Sequence, residues 1–112
     1  MVHDPMNEFL KQEPPQISTC GIIAQEVLQG LRSEEEFHYV EIRLAMISWL
    51  ETARSSYVSA AVLSRNIRRR GMKVSSIDAL IAAVAIQHDA MLWTLDHDFD
   101  PICSFSDLKL YR

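Results

Sequence analysis

Four stretches of the chain have apolar residues at every third or fourth position, which is the spacing of a helix buried along one side. These predicted helices run over residues 21–30, 33–47, 52–70 and 77–88. The fourth is apolar on nearly all its faces, so we expect it to be buried. Ser33 and Glu36 have the spacing of a capping box, Thr52 is expected to cap the third helix, and Ser75 or Ser76 the fourth. Gly71 is expected to end the third helix.

Short apolar segments between these helices predict strands. They are Gln16–Cys20, Ser48–Leu50, Met91–Thr94 and a last edge strand near Leu108–Tyr111. We expect the third strand to be buried on both faces, as in a parallel sheet. A short helix at 5–12, introduced by Asp4 and Pro5, and a turn or short helix at Asp100-Pro101 complete the prediction. Helices that alternate with short strands indicate an α/β fold with a parallel sheet.

The length and composition suit one compact domain. The chain has 112 residues, of which 48% are apolar, enough for a hydrophobic core. No apolar run reaches the roughly 20 residues that span a bilayer, and residues 1–15 lack the pattern of a signal peptide. We therefore expect a soluble, cytoplasmic protein. Cys20 and Cys103 have no C-x-x-C spacing and are interpreted as buried thiols rather than a disulfide.

Charge is unevenly distributed. The net charge of -4 argues against a protein that coats nucleic acid without sequence preference. Nevertheless, five cationic residues fall together near the end of the third helix: Arg65, Arg68, Arg69, Arg70 and Lys73. The chain therefore has a basic zone in spite of its acidic balance.

Several carboxylates occupy positions where they can converge. Asp78 lies just inside the fourth helix, and Asp96 and Asp98 follow the strand after it. In an α/β fold, helix starts and strand ends meet at the carboxyl edge of the sheet, where ligands bind. Glu26 adds an acid within an apolar segment. Each has a simpler explanation, since Asp78 complements the helix dipole and the other three could be solvated.

Taken together, these acids suit a hard divalent cation. Mg²⁺ takes oxygen ligands and usually relies on a few carboxylates plus water. Such an ion can activate a water molecule and neutralise the charge of a phosphodiester. The sequence therefore raises the hypothesis of a metal site without histidine or cysteine ligands.

Three separated motifs resemble those of PIN-domain ribonucleases, and most closely the VapC-type toxins of type II toxin–antitoxin systems. They are IIAQEVLQGL at 22–31, RRRGMKVSSIDALIAAVA at 68–85 and LWTLDHDF at 92–99. The resemblance implies a single PIN-like domain, a three-layer α/β/α fold with a mainly parallel central sheet. It also implies an endoribonuclease that depends on Mg²⁺ or Mn²⁺, cuts single-stranded or loop RNA and is inhibited by a cognate antitoxin.

The resemblance also implies roles for individual residues. Glu26, Asp78 and Asp96 match the catalytic, metal-binding acids of the family, and Asp98 would be an auxiliary metal ligand. Strand alternation puts Thr94 on the same side as Asp96, where its hydroxyl could hydrogen-bond a carboxylate or a metal-bound water.

The N-terminus departs from the family pattern. Members usually open with an apolar strand that ends in an aspartate, and no such strand precedes Ile17. Asp4 is a poor substitute, so we expect residues 1–12 to match the next helix and the first strand with its acid to be missing. Such a loss would expose sheet edges, which a homodimer or strand exchange would cover. It would also weaken metal binding.

This departure keeps other functions open. One alternative is a catalytically impaired PIN-like module that acts as a protein- or RNA-binding partner. Another is an unrelated Mg²⁺-binding doubly wound domain, such as a phosphoacceptor.

The remaining candidates are the basic zone, one histidine and two tryptophans. The cationic residues from Arg65 to Lys73 either hold RNA phosphates or complement the dipole of a helix end. His97 is interpreted as a solvated loop residue. Trp49 and Trp93 are expected in the core rather than as platforms for base stacking.

Overall fold

The structure is a computed structural model that describes residues 17–111. Its elements in chain order are β1 Ser18–Cys20, α1 Gly21–Gln29, α2 Glu34–Ala45, β2 Ser48–Leu50, α3 Arg54–Arg69, α4 Ser76–Gln87, β3 Met91–Trp93, a 3₁₀ turn His97–Phe99, α5 Asp100–Ser104 and β4 Lys109–Tyr111. The predicted order of helices and strands is confirmed over this range. The helix predicted at 5–12, together with Asp4, lies outside the described residues.

All strand pairing in residues 17–111 is parallel, as the α/β prediction requires. β1 pairs with β2, with Thr19 opposite Trp49. β3 pairs with β4, with Leu92 opposite Leu110. The two pairs form separate two-stranded sheets, so the central sheet expected from the sequence is not continuous within the described part of the chain.

Local sequence signals account for most helix ends. The Ser33 hydroxyl accepts a hydrogen bond from the Glu36 N–H at 3.0 Å, and Ser75 caps α4 in the same way. Gly71 adopts a φ of 81° just after α3, where only a glycine is free of strain. Its N–H donates to the Arg68 carbonyl and the Met72 N–H donates to the Ile67 carbonyl, which together close the helix end.

The prediction that Thr52 caps α3 is wrong. The N-cap residue is Ala53, whose N–H donates to the Ser56 hydroxyl at 3.0 Å. The Thr52 hydroxyl is buried and has no hydrogen-bond partner among the described residues. The Ser56 hydroxyl, in the first turn of α3, therefore accepts a hydrogen bond from the N-cap residue, and no side chain before the helix is needed for this contact.

Helices α3 and α4 form an antiparallel pair, which is the most extensive contact between elements. At one end, the Ser56 hydroxyl of α3 donates to the Gln87 side chain of α4. At the other end, the chain turns from Arg70 to Ser75 and enters α4 directly. The C-terminal end of α3 and the N-terminal end of α4 therefore lie side by side.

The main core fills the space between this helix pair and the C-terminal elements. Its buried members are Leu63, Ile67, Ala82, Ala85, Phe99, Ile102 and Leu108. A smaller cluster joins Ala60 of α3 to Ala79 and Ala83 of α4. The predicted burial of the fourth helix is confirmed, because small alanine side chains let the two helices approach closely.

Strand β3 is less buried than the sequence predicts. Met91 and Trp93 are exposed on one face, whereas Leu92 on the other face packs against the main core. Trp93 and Trp49 are 62% and 51% exposed, so their prediction as core residues is wrong. The reason is that no described element covers that face of β3, and that the Trp49 indole N–H donates to the Leu44 carbonyl at the surface, at 2.8 Å.

The two cysteines form no disulfide, as predicted. Cys20 is buried, whereas Cys103 is half-buried and its thiol donates to the Leu108 carbonyl at 3.1 Å. Within residues 17–111, no helix combines the length and apolarity that crossing a membrane would require.

Candidate active site

Asp78 is held at the start of α4 by the residue that begins the helix. It lies in the first turn, where its backbone N–H donates to the Ser75 hydroxyl at 3.1 Å. An acid at this position interacts favourably with the positive end of the helix dipole. The α3–α4 turn and the alanine-rich packing of the pair therefore fix the backbone that carries this carboxylate.

Asp96 occupies the turn that follows β3. Its backbone N–H donates to the Thr94 hydroxyl at 3.0 Å, and its carboxylate Oδ1 accepts from the Asp98 N–H at 2.9 Å. Phe99, at the end of the same turn, is buried in the main core. One anchored turn therefore carries both Asp96 and Asp98. Thr94 contacts the Asp96 backbone, while its predicted role towards a carboxylate or a metal-bound water stays a prediction.

Three of the predicted acids act electrostatically on the fourth, Asp78. Burial is the largest cause that raises the pKa of Asp78 above its ordinary value of 3.8. A hydrogen bond from the Ser75 side chain opposes this rise in the pKa, and the negative charges of Asp96, Asp98 and Glu26 add to it. Acids from α1 and from the turn after β3 therefore act electrostatically on the Asp78 carboxylate of α4.

The donor chemistry of this group fits a hard divalent cation. Carboxylate oxygens are the ligands that Mg²⁺ and Mn²⁺ prefer, and a cation would relieve the repulsion that acts on Asp78. Among residues 17–111, however, no three acidic, histidine or cysteine side chains are placed closely enough to form a ready metal cage. The acids therefore affect Asp78 through their charges, but in the described residues they do not form a complete set of metal ligands.

The basic zone lies at the same end of the helix pair as Asp78. Arg65, Arg68, Arg69, Arg70 and Lys73 are all exposed, and they occupy the last turns of α3 and the connection to α4. The Arg70 guanidinium stacks over the Phe105 ring, 5.0 Å from its centroid. Because α3 and α4 are antiparallel, the cations lie near the end of the helix pair that carries Asp78.

One contact near the acids was not anticipated from the sequence. His97 Nδ1 lies 2.9 Å from Asp100 Oδ2, on a histidine side chain that is 81% exposed. The exposure agrees with the interpretation of His97 as a solvated loop residue, and its spacing of three residues to Asp100 was the available signal.

Comparisons with known proteins agree on one family. A PIN domain model matches residues 3–103. Ribonuclease VapC11 of Mycobacterium tuberculosis is 33% identical over 106 residues, which cover 93% of this chain and 79% of the relative. VapC ribonuclease Mb1587 of Mycobacterium bovis matches with the same figures.

Solved structures share the fold at lower identity. VapBC2 from Rickettsia felis, bound to a DNA fragment from their promoter, gives a TM-score of 0.76 at 22% identity. VapBC-1 from nontypeable Haemophilus influenzae gives 0.75 at 18% identity. Each match covers 95% of this chain and 82% of the solved chain. These likenesses confirm the predicted PIN-like α/β fold.

Proposed function

The chain belongs to the PIN domain family, among the VapC-type ribonucleases, and from this premise we propose that it is a metal-dependent endoribonuclease that hydrolyses RNA phosphodiester bonds. The observation that carries the proposal is the likeness to VapC ribonucleases over 93% of this chain, and the raised pKa of Asp78, to which the negative charges of Asp96, Asp98 and Glu26 contribute after burial, supports it. Repelling carboxylates are tolerated where a bound cation offsets their charge.

In this proposal Glu26, Asp78 and Asp96 hold Mg²⁺ or Mn²⁺, with Asp98 as an auxiliary ligand. The ion would neutralise charge on the phosphodiester and lower the pKa of a water molecule. The chain's own contribution is to keep the acids in place: α4 and its cap hold Asp78, and the turn anchored by Phe99 holds Asp96. The Thr94 hydroxyl supports Asp96 by accepting a hydrogen bond from the Asp96 backbone N–H.

The substrate in this proposal is RNA, and the exposed basic zone from Arg65 to Lys73 contacts its phosphates. Phosphate contacts orient a nucleic acid without reading its sequence, so this zone would position the strand beside the acids. The placement of the cations at the Asp78 end of the helix pair supports this role. A cytoplasmic location belongs to the same proposal, since the RNA substrate lies there.

Two protein partners complete the proposal. The structural neighbours include VapBC assemblies, which supports a cognate antitoxin as the inhibitor of this chain. A homodimer is proposed because each sheet within residues 17–111 has only two strands, and a second copy could cover exposed sheet edges.

Cleavage of RNA in the presence of Mn²⁺ tests the activity. We expect the wild-type chain to cut RNA, and Asp96→Asn to lose at least about 100-fold in rate, which corresponds to roughly 2.7 kcal/mol. Asparagine caps a helical turn as well as aspartate does, so this variant should still fold.

Asp89→Asn is the matched control. Asp89 follows α4 at the end opposite Asp78, and its φ of 51° is a conformation that asparagine tolerates. It should cleave RNA at the wild-type rate. Equal cleavage by Asp96→Asn and the wild type, or cleavage by neither, would reject the proposal.

A second candidate, a PIN-like module that binds RNA or protein without cutting, is favoured by the lack of a ready metal cage among the described residues. RNA binding measured by fluorescence anisotropy separates the two functions. Binding without any Mn²⁺-dependent cleavage supports the module, and multiple turnover rejects it.

A further inference from the structure

The Arg70 side chain is held at both of its ends. Its backbone is fixed because Arg70 caps the C-terminal end of α3, where its N–H donates to the Ile67 carbonyl at 3.0 Å. Its guanidinium lies over the Phe105 ring, 5.0 Å from the ring centroid. Phe105 is half-buried and packs against the main core, so the ring is itself anchored. The contact therefore restricts the orientation of an otherwise exposed arginine.

The other four cations of the basic zone have no comparable support. Within residues 17–111, no aromatic ring and no carboxylate contacts their charged groups. They are Arg65, Arg68, Arg69 and Lys73, and all are exposed. A mobile side chain loses rotamer freedom when it binds a phosphate, whereas a stacked arginine has already lost part of that freedom. Arg70 is therefore the member of the zone that is best prepared to bind an anion.

Stacking on an aromatic ring leaves the hydrogen-bonding edge of a guanidinium available. The five N–H donors of Arg70 lie in the guanidinium plane, while Phe105 contacts the face of that plane. The planar fork of donors matches two oxygens of one phosphate. No described carboxylate forms an ion pair with Arg70, so its charge is available to a bound anion.

The same contact joins two segments that carry candidate acids. Arg70 begins the connection that leads into α4 and Asp78. Phe105 follows α5, which comes directly after the turn with Asp96 and Asp98. The stacked arginine is thus linked by one side-chain contact to the segment that carries two of the four acids.

We propose that Arg70 binds a phosphate of the RNA strand and that Phe105 is the positioning residue that holds its guanidinium ready for this contact; RNA as the substrate rests on the proposed function. Exposed cations near a site all attract a polyanion, but a fixed one contributes more to affinity because less freedom is lost on binding. Arg70 therefore contributes more to RNA binding than Arg69, its neighbour in the sequence.

Four substitutions at this contact separate positioning from packing. Arg70→Gln removes the charge, and Arg69→Gln removes an unsupported charge beside it. Phe105→Leu removes the ring but leaves an apolar side chain to pack against the core. Phe105→Tyr keeps the aromatic face, so it should restore the contact.

Helix α2 offers a matched control for the stack itself. The Arg43 guanidinium lies over the Tyr39 ring at 4.8 Å from its centroid, one turn away on the same helix. Three acids occupy the first turn of α2, and none of the candidate acids belongs to this helix. Tyr39→Leu therefore removes an equivalent aromatic contact of an arginine that is not proposed to bind RNA.

The experiment measures the affinity of the full chain for a fluorescein-labelled single-stranded RNA by anisotropy, in EDTA and at low salt, so that neither metal nor cleavage is involved. We expect Arg70→Gln to bind at least about tenfold more weakly, as the loss of a charge-assisted hydrogen bond predicts. Phe105→Leu should bind about threefold to tenfold more weakly, the effect of freeing one long side chain. Arg69→Gln should lose less than Arg70→Gln, and Phe105→Tyr and Tyr39→Leu should match the wild type.

A double substitution shows whether Phe105 acts through Arg70. In the Arg70→Gln background, Phe105→Leu should cause no further loss of RNA affinity. An equal loss in both backgrounds would assign the effect to packing and overturn the proposal, as would wild-type affinity in Phe105→Leu or in Arg70→Gln. If the wild type cleaves RNA while these variants bind it normally, only the role of Arg70 and Phe105 is rejected. If the wild type does not bind RNA, the proposed substrate is rejected together with this role.

Discussion

The two halves of the described chain are packed differently. In the first half, residues 18–50, the buried residues are Thr19, Cys20 and Ala24, and α2 contains none. The second half, residues 54–111, holds both hydrophobic clusters, with Ile67 and Ile102 fully buried. The helices of the first half therefore depend more on local signals, and those of the second half on tertiary packing.

The candidate site takes its acids from both halves. Glu26 comes from α1 in the first half, whereas Asp78, Asp96 and Asp98 come from the second. Each parallel strand pair is also contained within one half. The position of Glu26 relative to the other acids thus depends on contacts between the halves, and regions with few buried contacts open more easily than a core does. We infer that the second half determines stability, whereas both halves determine the site.

The largest expected effect comes from removing a core side chain of the second half. Ile67 is 0% exposed, so Ile67→Ala should lower the free energy of unfolding by about 3 kcal/mol through lost burial and a cavity. Ile42→Ala is the matched change in the first half, where the side chain is 49% exposed on α2. It should cost about 0.5 kcal/mol or less. Urea denaturation followed by circular dichroism measures both values.

A large loss of stability in Ile42→Ala would contradict the conclusion that the first half is less packed than the second. It would mean that the outer face of α2 is covered in solution, for example by a second copy of the chain. Repeating the measurement over a range of protein concentrations would identify this case, because the stability of an assembled chain rises with concentration.

The acids give a second, somewhat smaller contrast. Asp78→Asn should slow Mn²⁺-dependent RNA cleavage by about 100-fold and Glu26→Gln by about tenfold, or roughly 2.7 and 1.4 kcal/mol. The reason is that Asp78 is held by a cap and a packed helix, whereas the Glu26 side chain is exposed in the less packed half. Equal losses in the two variants would show that both halves are equally ordered in the working enzyme.

Much of the fold could be predicted because its signals are local. The Ser33 and Ser75 caps and the left-handed Gly71 were readable within a few residues of each helix end. The apolar run of α4 predicted its burial, since only a buried helix is apolar on all sides. The positions of Asp78 in the first turn of a helix and of Asp96 just after a strand were readable in the same way.

The features that the sequence did not predict depend on which elements pack against one another. Trp49 and Trp93 have apolar neighbours in the sequence, yet apolar neighbours do not reveal whether another layer packs on that face. The division of four strands into two pairs is likewise a property of the assembled fold. Long-range packing, unlike capping, leaves few signals within a short window.

The smallest expected effect is the pH dependence of stability that Asp78 contributes without metal. Burial first, and then the charges of Asp96, Asp98 and Glu26, raise the pKa of Asp78 above 3.8, and the Ser75 hydrogen bond limits that rise. The folded state therefore holds this proton more tightly than the unfolded state. Its stabilising contribution is complete below pH 3.8 and is lost as the pH rises through the higher pKa of the folded state.

Asp78→Asn has no such titration, so its stability should improve relative to the wild type as the pH rises through this window. Urea unfolding in EDTA between about pH 3 and pH 7 measures the difference. Glu36→Gln is the control, since this acid lies in the first turn of α2 but outside the site. A constant difference between Asp78→Asn and the wild type would contradict the crowding of acids around Asp78. A smaller pH dependence in a Glu26→Gln background would show that the first half contributes its charge to the site.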